Sequence, residues 1–155
     1  MALIRILVDG YSLLHNWPGL ARGAPRHSEA ARDELIARLT QYRDASGTPI
    51  TIFFDGKSPR GKRPPRHASH EIEVLFSTAG QTADQMIERA AYRFTQFGEI
   101  LAVTDDVAER ETVISMGGMA MNCANFIQTV ENALADLSDD IKAHNRRERQ
   151  RFGKR

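Results

Sequence analysis

Five short apolar runs, at residues 3–8, 50–54, 72–76, 100–103 and, more weakly, 119–121, are separated for the most part by stretches with helical periodicity. Runs this short, rich in Ile, Val, Leu and Phe, fit strands buried on both faces rather than helices. Two parallel strands need a long crossover between them, usually a helix, so strands alternating with helices predict an α/β fold. The expected architecture is a mainly parallel sheet of about five strands covered by helices on both faces.

The helical stretches carry their own start and stop signals. Over residues 28–45, Ala31, Leu35, Leu39 and Tyr42 share one face, with Ser28 as the N-cap and Gly47 then Pro49 as the stop. In "QTADQMIERAAYRFTQFG", Thr82 and Gln85 have capping-box spacing. Met86, Ile87, Ala90, Ala91, Phe94 and Phe97 form that helix's apolar stripe, and Gly98 closes it. A third helix follows Asp106 and stops at Gly117-Gly118, and a fourth runs from about Ala124 to Leu137, burying Phe126, Ile127, Val130 and Leu134. The methionines at 116, 119 and 121 are expected in the core.

At 155 residues and 41% hydrophobic content the chain fits one globular domain. Its 21 Lys and Arg nearly balance its 20 Asp and Glu, but unevenly: from Leu137 onward seven basic residues face three acids, which leaves the body net acidic. The predicted division is a domain over 1–137 and a basic extension over 138–155. That extension reads as a solvated helix or a partly disordered segment, serving either as a charged tail or as a hold on RNA or the ribosome. A single cysteine, Cys123, excludes an internal disulfide, and no stretch approaches the ~20 apolar residues of a membrane span. A cytoplasmic location is expected. No Walker or dinucleotide glycine motif occurs, and the histidines lack metal-ligand spacing.

Acids end the predicted strands. Asp9 follows the first, Asp55 the second and Asp105-Asp106 the fourth, while Asp84 opens the helix fed by the third and Glu88 lies one turn on. In a parallel sheet these ends share one edge, where ligands bind at the point at which strand order reverses. Each acid alone also reads as a turn former or helix cap. Together, clustered carboxylates repel one another and raise each other's pKa unless a cation neutralises them. Oxygen ligands alone suit Mg²⁺ or Mn²⁺ rather than Zn²⁺. From the same edge departs "DGKSPRGKRPPRHASH", whose Lys57, Arg60, Lys62, Arg63 and Arg66 would attract a phosphate backbone. Tyr11 and Trp17 offer rings for stacking on bases, or for packing.

In this order, "LVDGYSLLHNWP", "EAARDELIARLTQY", "IFFDG", "QTADQMIER" and "VTDDVAER" resemble the YacP-like branch of the NYN domain family, related to the PIN-like ribonucleases. The resemblance implies a PIN-like three-layer sandwich, a Mg²⁺- or Mn²⁺-dependent endoribonuclease activity, and RNA as partner, in some members on translating ribosomes. It implies Asp9, Asp84 and Asp106 as metal ligands, with Asp55, Glu88 and Asp105 as a second tier. Ser12 stands where the family usually has Asn, Gln81 where Glu is common and Asp105 where Ser is usual. A non-catalytic RNA- or ribosome-binding module and a hydrolase of small phosphate esters are the rival readings of the same residues.

Overall fold

The computed structural model describes residues 3–56, 72–78 and 80–153. Its strands are β1 (Leu3–Asp9), β2 (Ile50–Phe54), β3 (Ile72–Phe76), β4 (Glu99–Val103) and β5 (Met119–Met121). Its helices are α1 (Gly10–His15), α2 (Glu29–Ser46), α3 (Ala83–Phe94), α4 (Val107–Ser115) and α5 (Cys123–Gly153). All four strand pairings are parallel, in the order β3-β2-β1-β4-β5. The chain therefore works outward from β1 in one direction and then in the other, and the reversal falls between β1 and β4.

Period-two alternation assigns the strand residues to two cores. Ile6, Val8, Ile50, Ile52, Phe54, Leu101 and Val103 face α1, α2 and α5, while Leu7, Phe53, Ile100 and Ala102 face α3 and α4. This makes three layers. Truncating a residue such as Leu14 or Phe53, both essentially inaccessible, would cost about 2–5 kcal/mol.

The caps act as read from the sequence. Ser28 accepts from the Ala31 N–H, Gly47 closes α2 at φ 76°, and Thr82 and Gln85 form a reciprocal capping box. Three expectations need correction. The helix α3 ends at Phe94, so Phe97 leaves the stripe and is 74% exposed. Met119, on the edge strand, is exposed rather than in the core, whereas Met116 and Met121 do pack against it. The fourth helix does not stop near Leu137 but runs on to Gly153 as one continuous helix, 31 residues in all, its exposed part rich in helix-forming Arg. Among the described residues no helix is long and apolar enough to cross a membrane.

Candidate metal centre

Each acid reaches the carboxyl edge through the turn that follows its strand. Asp9 ends β1 and caps α1, accepting from Ser12 N–H at 3.3 Å and Ser12 Oγ at 2.9 Å. The next residue has to be glycine: a Cβ on Gly10 would sit 2.6 Å from Phe54 Cδ1 and 3.0 Å from Ile52 Cγ2. Asp9 and Gly10 together thus turn a buried strand into a helix with no intervening loop.

Asp84 lies in the first turn of α3. Asp106 caps α4 through the N–H groups of Ala108 at 2.9 Å and Glu109 at 3.3 Å. Glu109, three residues on and so on the same helical face, is 2% exposed. One carboxylate oxygen from each of Asp84, Asp106 and Glu109 lies within 4.8 Å of the others. Two ligands on opposite sides of an octahedral Mg²⁺ lie about 4.2 Å apart, so small adjustments bring all three onto one ion. A divalent cation fits the donor chemistry.

The electrostatics point the same way. Burial, hydrogen bonding to Asp84 and the charges of Asp84 and Asp9 push the Glu109 carboxyl up to about 9, against a small opposing effect from Thr104. Its Oε2 accepts from Thr104 Oγ1 at 3.3 Å, while Oε1 is buried without a hydrogen-bond donor. A buried carboxylate oxygen without a donor, beside other acids, needs a proton or a cation. Burial also raises the Asp9 carboxyl, with Ser12 opposing and the charges of Asp84 and Asp55 adding to the rise. Asp9 therefore shares the electrostatic field of the cluster.

The remaining acids have other attachments. Asp55 Oδ1 accepts from the Ala83 N–H at 2.6 Å, joining the end of β2 to the start of α3. Asp105 accepts from the Cys123 N–H at 2.9 Å and from Asn16 Nδ2 at 2.7 Å, so it ties the start of α5 and the end of α1 to β4. Glu88 is half-buried beside a cleft of about 580 Å³ that includes Gln81, Arg89 and Tyr92. Trp17 is 3% exposed, and its indole donates to Glu131 at 3.0 Å, so it packs in the core and offers no face to a base. Tyr11 is half-buried against Phe54 and accepts from Arg32 at 3.1 Å. Lys57, Arg60, Lys62, Arg63 and Arg66 lie outside the described residues. The burial that silences Cys123 also raises its thiol pKa.

Sequence reasoning missed Glu109. The signal was present in "VTDDVAER" as the i, i+3 spacing of Asp106 and Glu109, which reads first as a helix-dipole or capping feature.

An all-parallel sheet with carboxylates gathered where its strand order reverses places the chain in the PIN-like class. It belongs to the YacP-like NYN domain family, whose model matches residues 6–155. The "Uncharacterized protein YacP" of Bacillus subtilis (strain 168) is 28% identical over 127 residues, which cover 81% of this chain and 74% of that protein. The crystal structure of Rae1 (YacP) from Bacillus subtilis superposes with a TM-score of 0.76 at 24% identity, covering 96% of this chain and 84% of the other. A mutant of that protein gives 0.75 at 25% identity over 92% and 84%. The family is nuclease-like, and NYN domains are typically RNA-related.

Proposed function

We propose that this chain is a cytoplasmic endoribonuclease that depends on Mg²⁺ or Mn²⁺ and cuts RNA, including transcripts held on a ribosome. The observation that carries the reading is the Asp84, Asp106 and Glu109 cluster, with a buried carboxylate oxygen left without a donor. Asp9, Asp84 and Asp106 are the proposed ligands, joined by Glu109. When bound, such a cation polarises a phosphoryl oxygen and lowers the pKa of a water.

The chain's own residues do the rest. Ser12 holds the Asp9 carboxylate through two hydrogen bonds, which supports a catalytic supporting role. Asp55 fixes the start of α3, which carries Asp84, Asp105 ties α1 and α5 to β4, and Glu88 stands one turn beyond Asp84 on α3. The basic residues Lys57, Arg60, Lys62, Arg63 and Arg66 would position the RNA strand through its phosphates, and Tyr11 backs a base.

The test is cleavage of end-labelled RNA with Mn²⁺ and with EDTA, by the native protein and by Asp9→Asn and Asp84→Asn. Cutting that needs Mn²⁺ and falls about 100-fold or more in each variant is the expected result. Equal cutting by all three would mean a contaminating nuclease. RNA binding without cleavage by the native protein as well as the variants would identify a binding module, and phosphate release from small esters would identify a phosphatase.

A further inference from the structure

We propose that the cleft beside α1 seats single-stranded RNA running on from the acidic edge, with its bases against the His15, His27 and Tyr11 rings and its phosphates toward Arg22. This rests on the nuclease reading above and extends it to the path of the substrate. The cleft measures about 440 Å³ and is lined by His15, Pro18, Gly19, Arg22, Gly23 and Arg26. It combines basic and imidazole side chains with two glycines and includes no carboxylate among the described residues.

Next to it the rings form a shelf. The His27 ring is 4.4 Å from that of Tyr11 and 5.2 Å from that of His15, and Tyr11 in turn packs 5.0 Å from Phe54. Phe54 is fully buried, Tyr11 half-buried, and His15 and His27 exposed. The inner end is thus anchored in the core while the outer rings are exposed to solvent. Every base has a face that can stack on such rings, whatever its sequence.

The shelf adjoins the proposed metal centre through α1, which is six residues or about 9 Å long. Its first turn carries Tyr11, two residues after Asp9. At its far end His15 precedes Asn16, whose side chain donates to Asp105 at 2.7 Å. A strand bound at the acids is already within reach of the rings.

The cleft wall is held in advance. The terminal nitrogens of Arg26 donate to the carbonyls of Leu14 at 3.2 Å, Trp17 at 3.2 Å, Leu20 at 2.9 Å, Ala21 at 2.6 Å and Ala24 at 3.2 Å. All five acceptors are uncharged carbonyls, so among the described residues no carboxylate offsets the guanidinium charge. Ala21 has φ 53°, a left-handed conformation that non-glycine residues rarely adopt, and its N–H is fixed by Glu34 at 2.9 Å. The wall therefore needs little rearrangement on binding. Positive charge in a lining that holds no carboxylate suits a polyanion, and exposed rings suit unpaired bases, which together favour a single strand over a duplex or a protein surface.

The experiment measures binding of a fluorescent 12-mer RNA to the full chain with Ca²⁺ replacing Mn²⁺, the oligonucleotide being checked as intact afterwards. Arg22→Glu should weaken binding about tenfold and lower the salt slope by about one, and His15→Ala/His27→Ala should weaken it similarly. His27→Phe keeps a ring face and should restore affinity lost in His27→Ala. All these side chains are exposed, so matched thermal melts confirm folding. Ultraviolet cross-links should fall within residues 11–27. Native affinity in both the Arg22 and the double His variant, cross-links elsewhere, or no binding by the native protein would overturn the proposal. RNA that binds in this way yet stays uncut with Mn²⁺ would refute the nuclease reading and leave the seat standing.

Discussion

The Glu109 carboxyl gives the sharpest test, because its proton and a cation compete for the same buried oxygen. Burial and the neighbouring acids raise its pKa to about 9 in the folded protein from an ordinary value of 4.5. Between those values the folded state holds a proton that the unfolded state has released. The unfolded state then binds fewer protons, and stability falls as pH rises, by about 1.4 kcal/mol per unit for one proton. From pH 6 to pH 8 the metal-free protein should lose about 2–3 kcal/mol, or roughly 5–10 °C in melting temperature for a domain of this size. The window closes above the folded pKa. Glu109→Gln cannot exchange that proton, so its metal-free stability should change far less over the same interval, and excess Mn²⁺ should flatten the slope of the native protein. Urea unfolding in EDTA at pH 6, 7 and 8 measures both proteins, and the variant cancels every contribution that the two share. Parallel pH dependence in native protein and variant would refute the account of a shared proton.

Three further outcomes follow from the geometry. Gly10→Ala drives a methyl into Phe54 and should cost about 1–3 kcal/mol in chemical denaturation. Asp105→Ala leaves the Cys123 N–H without its acceptor and removes one of the two acceptors of Asn16 Nδ2, and should lose about 1–3 kcal/mol, with Asp105→Asn losing less. Removing residues 138–155 takes away mainly exposed helix and should shift the melting temperature by less than about 2 °C; a larger drop would show that the extension is part of the domain.

The parts legible in the sequence were those where one local rule and the global fold agree. Ser28, Thr82 and Asp106 cap helices because each precedes an apolar period, and Ile50–Phe54 reads as strand because it is buried throughout. The six-residue α1 escaped because it is too short to show a period, and because Asp9-Gly10 looks like a turn until Phe54 is known to press on Gly10. Phe97 continued an apolar spacing beyond the end of its helix. The distal half of α5 has no buried face to announce it. Glu109 was hidden for a different reason: a glutamate in a first helical turn is ordinary, and only tertiary burial beside Asp84 makes it costly.

One dimension of the molecule constrains any partner. The helix α5 starts at the acidic edge, where Cys123 bonds to Asp105, and its 31 residues make a rod about 46 Å long. Its last turns, carrying Arg146, Arg147, Arg149 and Arg151, stand well over a domain's radius from the carboxylates. A single nucleotide could never touch both. Whatever grips the arginines and the acids at once must itself be large, or folded so that two distant stretches come to the two ends of this built-in ruler.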